Sequence, residues 1–286
     1  MLASKQVPWQ VKVAAKLVLA RVPFNYQIWK RIGIFKLGAM ERPEYALGVF
    51  RCHFDAANFA RKSGDFVGLE LGPGDSLDSA VIAKSFGASQ TYLVDIGRFA
   101  SSDLECYRRM EVHLRRSGLH PPNLSGCRTF ADFERATSAK YLTQGLESLK
   151  NIPTASVDFV WSHAVLQHVR RSEFFATLQE LRRIQRPDGL GAHRISISDI
   201  LGGKLNDLRF SERVWESAFM SKSGFYTNRI RYGLLMEMFK DAGFTPEIRR
   251  VTRWQTLPTP RKKMAPQFAS LPDEDLCISG FDLYLH

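Results

Sequence analysis

Apolar positions along the chain recur in two periods, short continuous runs and helical stripes, and their alternation predicts an α/β fold. Continuous runs end at acids, glycines or small polar residues: Val67–Leu71, Thr91–Val94, Tyr141–Thr143 and Val157–Trp161 read as strands. Between them the period lengthens. Leu47, Phe50, Phe54 and Ala57 predict a helix over 43–62, with Arg61 and Lys62 near its negative end and Gly64 as its stop. Leu77, Val81 and Ile82 mark a second helix ending at Gly87. Phe174, Phe175, Leu178, Leu181 and Ile184 mark a third, with Ser172 available as its cap.

Pro187-Asp188-Gly189 reads as a turn before a fifth strand in which Ile195 and Ile197 alternate with serines. A helix over 228–242 stops at Gly243, and strand-like segments follow near 247–255 and 276–285. The span 96–140 is longer than one crossover helix needs, so it reads as a helix plus a partly irregular insertion around His120-Pro121-Pro122-Asn123. The expected architecture is a Rossmann-like, mostly parallel sheet with an antiparallel C-terminal strand. A basic helical extension at 1–62 precedes the domain at 63–286, which carries a lid-like insertion at about 201–232.

The chemistry concentrates where the first strand ends. Val67-Gly68-Leu69-Glu70-Leu71-Gly72-Pro73-Gly74 passes from an apolar run through an acid into two glycines and then a helix. That arrangement receives a nucleotide-like ligand at the carboxyl edge of a parallel strand, and glycine lets the backbone approach it closely. Asp95 closes the next strand 21 positions after Gly74, about one helix and one return away, where a carboxylate can accept from both ribose hydroxyls. A dinucleotide site wants a third glycine where this chain has Leu77, and Glu70 would repel a pyrophosphate. Beside an ammonium the same carboxylate is useful, which points to an adenosine with a cationic amino-acid tail.

Here the sequence resembles the class I S-adenosylmethionine-dependent methyltransferases, whose first motif is an acid-x-Gly-x-Gly loop. The resemblance covers roughly residues 63–286 and implies that Glu70, Gly72 and Gly74 hold the methionine part and Asp95 the ribose. It further implies that Gly145 and Leu146, after the third strand, lie against the adenine, and that Ser162, at the exit of the fourth, lies beside the cofactor. His193 through Asp199, with the segment that follows, resembles methyltransferases of bacterial polysaccharide biosynthesis.

Three histidines fall where chemistry would occur: His163, His168 and His193. Transfer from a sulfonium is an in-line displacement, so alignment dominates. A hydroxyl acceptor must also lose its proton, a task suited to imidazole near neutral pH. Some relatives place Glu-x-x-Glu-His at this exit and bind a divalent ion there. Ala164 and Gln167 replace both carboxylates here, so no metal is expected. In the insertion, Trp215, Phe225 and Tyr226 with Asn228, Arg229 and Arg231 suit a sugar, by stacking and forked donors, or form the core of a helical lid.

Charge adds one feature. The net charge is +11, and the seven cations Lys5, Lys12, Lys16, Arg21, Lys30, Arg31 and Lys36 precede the first acid, Glu41. They are interleaved with aromatics and aliphatics, a composition that suits contact of residues 1–40 with an anionic membrane surface. No apolar run reaches the ~20 residues that span a bilayer. The aliphatic spacing argues against nucleic acid, although the sequence pI of about 9.6 keeps that alternative open. Four cysteines without CxxC spacing indicate neither a zinc site nor a disulfide framework, so a cytoplasmic setting is expected, peripheral to the inner membrane face if the basic segment docks. The expected activity is O-methylation of a glycan or lipid-linked sugar. N- or C-methylation of another small metabolite, nucleic-acid methylation and a non-catalytic S-adenosylmethionine-binding module remain alternatives.

Overall fold

A computed structural model describes residues 39–55, 57, 59 and 65–286. The basic segment at 1–38, and with it most of the expected membrane contact, lies outside the described residues. The sheet has seven strands in the order β3-β2-β1-β4-β5-β7-β6. They are β1 (Phe66–Leu71), β2 (Ala88–Val94), β3 (Ala139–Leu142), β4 (Val157–His163), β5 (Gln185–Ser196), β6 (Pro246–Arg253) and β7 (Ile278–Leu285). The pairings from β3 to β5 are parallel, and β7 runs antiparallel to both β5 and β6. Strand order therefore reverses beside β1, the place where α/β sheets open a ligand crevice at their carboxyl edge.

Seven longer helices flank the sheet: α1 (Pro43–Phe54), α2 (Asp78–Ser85), α3 (Leu104–Arg116), α4 (Phe130–Thr137), α5 (Leu146–Lys150), α6 (Arg171–Ile184) and α7 (Tyr232–Asp241). The span 96–140 resolves into two of these. Asp103 caps α3 by accepting from Glu105 N–H, and Thr129 with Asp132 forms a reciprocal capping box on α4. The expected cap on α6 is not Ser172; the helix begins at Arg171 with no side-chain cap.

Two apolar layers hold the sheet. On one face α1 is fixed by rings: Phe50 meets Trp161 edge-on with centroids 5.4 Å apart, and Phe54 meets Phe159 at 5.6 Å. Gly68 makes room for this packing, since a β-carbon there would lie 3.0 Å from the Trp161 ring. Full burial of a phenylalanine contributes about 1.5–3 kcal/mol, so this cluster defines where α1 sits over β4. On the opposite face Val160, Ile195, Leu178, Leu181 and Phe239 form the second layer beneath α6 and α7.

Pro187-Asp188-Gly189 is not a turn between elements. It lies inside β5 as an irregularity: Val157 pairs with Gln185, and Phe159 already pairs with Leu190. The looped-out residues Arg186, Pro187 and Asp188 are exposed, so the missing proline N–H costs no ladder bond.

Candidate active site

At the carboxyl edge the chain leaves β1 through Gly72 and Gly74, with φ of 73° and 69°. Both values lie in the left-handed region that favours glycine. Gly72 N–H donates to Val94 O at 2.8 Å, which ties the loop to the end of β2. Asp95 follows immediately. Its Oδ2 accepts from Gly74 N–H at 3.1 Å and its Oδ1 from Ile96 N–H at 2.7 Å. A carboxylate offers about four acceptor positions, so each oxygen keeps one for a ligand hydroxyl. Burial pushes the acid up to about 6 against the pull of those two N–H groups.

Glu70 sits inside β1, 3% exposed, and accepts from the Ser79 hydroxyl of α2. Burial raises its carboxyl to about 7, with the Ser79 hydrogen bond opposing. An ammonium brought beside it would supply the positive partner that the fold withholds. The loop after β3 joins the same edge: Gly145 N–H donates to Asp95 O at 2.8 Å, and Leu146 opens α5. Beside them Ile96 is 79% exposed, an apolar side chain left in solvent where one face of a flat ring would need cover. Sequence reading missed Ile96; its signal was an aliphatic residue directly after the ribose-side acid.

The exit of β4 completes the edge. Ala164 takes a φ of 57°, a left-handed value that costs a residue with a β-carbon roughly 1–2 kcal/mol. The turn folds Val165 onto the glycine loop: a β-carbon placed on Gly72 would lie 2.6 Å from both Val165 methyls. His163 and His168 stand on either side of this contact. His168 is exposed, and its Nδ1 lies 2.9 Å from Tyr226 O. A carbonyl only accepts, so Nδ1 carries the proton and Nε2 keeps its lone pair.

His163 is half-buried at the end of β4, and its Nδ1 lies 3.1 Å from His53 Nε2. Burial, then the neighbouring Arg194, lowers His163 to about 4. His53 belongs to α1 and is 4% exposed; burial and then His163 depress it to about 3. No local sequence signal distinguishes His53, which falls on the same helical face as Phe50 and Phe54.

Ser162 and His193 come together away from this mouth. Register pairs them on adjacent strands, Ser162 Oγ lies 2.8 Å from His193 Nδ1, and both are buried at 2% exposure or less. Burial holds His193 neutral, at about 3.

The insertion builds a small core of its own from Leu201, Trp215, Met220, Phe225 and Tyr226. Its aromatics pack on one another, and its polar groups are bonded into the fold: Trp215 Nε1 donates to Thr227 O at 2.7 Å, and Asn228 Nδ2 to Leu166 O at 2.9 Å. Beneath it, Gln167, Ser196, Ser198, Asp207 and Arg231 line a cavity with room for about one water. Among the described residues no three His, Cys, Asp or Glu side chains gather as metal ligands, and no helix is long and apolar enough to cross a membrane.

Residues 69–192 match a family model described as a methyltransferase domain. No curated protein matches the chain. Among solved structures, a methyltransferase from Methanosarcina mazei is 16% identical, with a TM-score of 0.45, over 78% of this chain and 92% of its own. The 1,6-didemethyltoxoflavin N1-methyltransferase of Burkholderia thailandensis is 13% identical, also at 0.45, over 100% of this chain and 92% of its own. The matched segment runs from the first strand, through the glycine loop and the Asp95 edge, to the strand beside β4. Residues 69–192 are a methyltransferase domain, and S-adenosylmethionine is the cofactor on which the enzyme depends.

Proposed function

We propose that this enzyme moves the cofactor's methyl group to a hydroxyl of a glycan or lipid-linked sugar. The carrying observation is the turn that leaves β4, where neutral imidazoles at His163 and His168 bracket the Val165–Gly72 contact. In the displacement, the hydroxyl oxygen bonds to the methyl carbon as the carbon–sulfur bond breaks. S-adenosylhomocysteine leaves as a neutral thioether, and the hydroxyl proton passes to an imidazole nitrogen. Glu70 takes the methionine ammonium and Asp95 the ribose hydroxyls. Gly72 and Gly74 give the backbone its close approach, while Gly145, Leu146 and Ile96 cover the adenine. Ser162 and His193 support the floor from within the sheet.

The insertion at about 201–232 closes over the acceptor side, and the basic residues 1–40 bring the enzyme to an anionic membrane surface where lipid-linked sugars reside. Calorimetric titration with S-adenosylmethionine tests the cofactor half. Transfer of radiolabelled methyl to a panel of glycans, small amines and RNA, followed by alkaline and acid stability of the product, tests the acceptor half. An alkali-stable ether on a glycan supports the proposal. Label confined to nitrogen, carbon or RNA overturns it.

A further inference from the structure

Three adjacent strands place His163, Arg194 and Asp282 in one row: His163 pairs with Arg194 across β4 and β5, and Arg194 pairs with Asp282 across β5 and β7. Asp282 grips Arg194 with both oxygens, at 2.6 Å to Nε and 2.8 Å to Nη2. Over this row α1 lowers His53, whose ring meets that of His163 edge-on with centroids 5.4 Å apart and planes at 80°. The Phe50 and Phe54 contacts leave α1 little freedom to withdraw it.

With Arg194 alongside and water excluded, neither imidazole holds a second proton at neutral pH, so a single hydrogen bond joins two neutral rings. One ring must donate and the other accept. A free imidazole does not fix which of its nitrogens carries the proton; here the partner decides. His168, on the far side of the turn, is held in the same way through Nδ1, with a carbonyl as its partner.

We propose that His53 is a positioning residue for His163: it accepts the His163 Nδ1–H and so leaves the Nε2 of His163 bare at the exit of β4. His53 touches no substrate in this scheme. It acts by fixing one tautomer and one ring orientation of the residue that receives the acceptor's proton, with the Arg194–Asp282 pair bracing the row beneath. The proposal deepens the methyl-transfer reading above and rests on it for the use to which the bare nitrogen is put.

The test reads the proton directly. Long-range proton–nitrogen spectra of the full chain, with histidines labelled in nitrogen-15, are recorded at pH 7 and His163 is assigned by His163→Gln. The expected wild-type pattern is a protonated Nδ1 and a bare Nε2 on His163. His53→Phe keeps the ring volume but removes the acceptor, and His163 should move to the Nε2-protonated form. His53→Gln, whose amide oxygen accepts, should retain the wild-type pattern. A wild-type His163 already protonated on Nε2, or one unmoved in His53→Phe, overturns the proposal. Wild-type spectra alone suffice for the first outcome, so poor folding of either variant does not rescue the idea. S-adenosylmethionine titration of the same samples keeps the two readings apart: absent binding with the expected tautomer sinks the methyl-transfer reading and leaves the His53 assignment standing.

Discussion

The methyl groups of Val165 occupy the space that a β-carbon on Gly72 would need, 2.6 Å from its ideal position. Glycine loop and β4 exit are thus one mechanical unit. Gly72→Ala meets two penalties, a left-handed φ and a collision, and should destabilise the protein by more than ~1 kcal/mol while removing measurable cofactor binding. Adding Val165→Ala should recover part of the melting temperature, because it relieves the collision and leaves the strain. Wild-type affinity in Gly72→Ala would show that the loop does not face the ligand.

Glu70→Gln should separate stability from binding. The Glu70 carboxyl is raised from 4.5 to about 7 by burial, so the folded state holds a proton that the unfolded chain has already lost. The stability this provides is present at low pH and is lost as pH rises through 7. Relative to wild type, the variant should therefore gain roughly 1.4 kcal/mol between pH 6 and pH 8. Cofactor affinity should behave in the opposite sense. In wild type it should strengthen from pH 6 to 8 as Glu70 becomes the anion that pairs with the ammonium, with proton release below pH 7. In the variant it should be weak and flat. Calorimetry in two buffers of different ionisation enthalpy decides, and a pH-independent wild type would remove Glu70 from the ammonium site.

Much of this layout was legible in the chain. Continuous runs and helical stripes define seven strands in a known order, because a buried parallel strand and an amphipathic crossover leave different periods. What failed had nonlocal causes. Pro187-Asp188-Gly189 has turn chemistry, but the neighbouring strand absorbs it as an irregularity within β5. Ala164 adopts a glycine-like φ that no residue-type rule announces. His53 becomes interesting only because ring packing over a hundred positions away sets α1 above His163. The lid aromatics carry the same composition whether they stack on a sugar or on each other, and here they stack on each other.

Ser162→Ala offers a contrast. Its hydroxyl is the partner of His193 Nδ1 in a fully buried pair, so its removal should cost about 1–3 kcal/mol of stability by stranding a polar nitrogen. Cofactor affinity should change less than threefold. A large loss of affinity with little change in denaturation midpoint would instead place Ser162 against the ligand.

Arg229 is the fastening of the lid. Its side chain is fully buried, its guanidinium lies 5.2 Å from the Trp215 ring centre and 5.0 Å from that of Phe268, and Nη1 donates to Phe210 O at 2.6 Å. Lysine cannot reproduce that planar, forked contact, so Arg229→Lys should cost roughly 2–4 kcal/mol locally. Hydrogen exchange should rise across 199–231 while β1 to β4 stay protected. Uniform loss of protection would mean that lid and sheet unfold as one unit.

β7 follows β6 in the chain yet lies inside it, between β5 and β6. The outer rim of β5 therefore waits for partners more than eighty positions away, among them Asp282 for Arg194. Loop closure over that distance is slow compared with the local βα steps that build β1, β2 and the glycine loop. Folding then has a fixed order of competence. The cofactor cradle is an early product, and the brace beneath His163 is among the last pieces to arrive. In pulse-labelled refolding, amides of β1 and β2 should gain protection before those of Gly191–Ser196, so a chain halted at that stage would hold cofactor without a fixed proton acceptor.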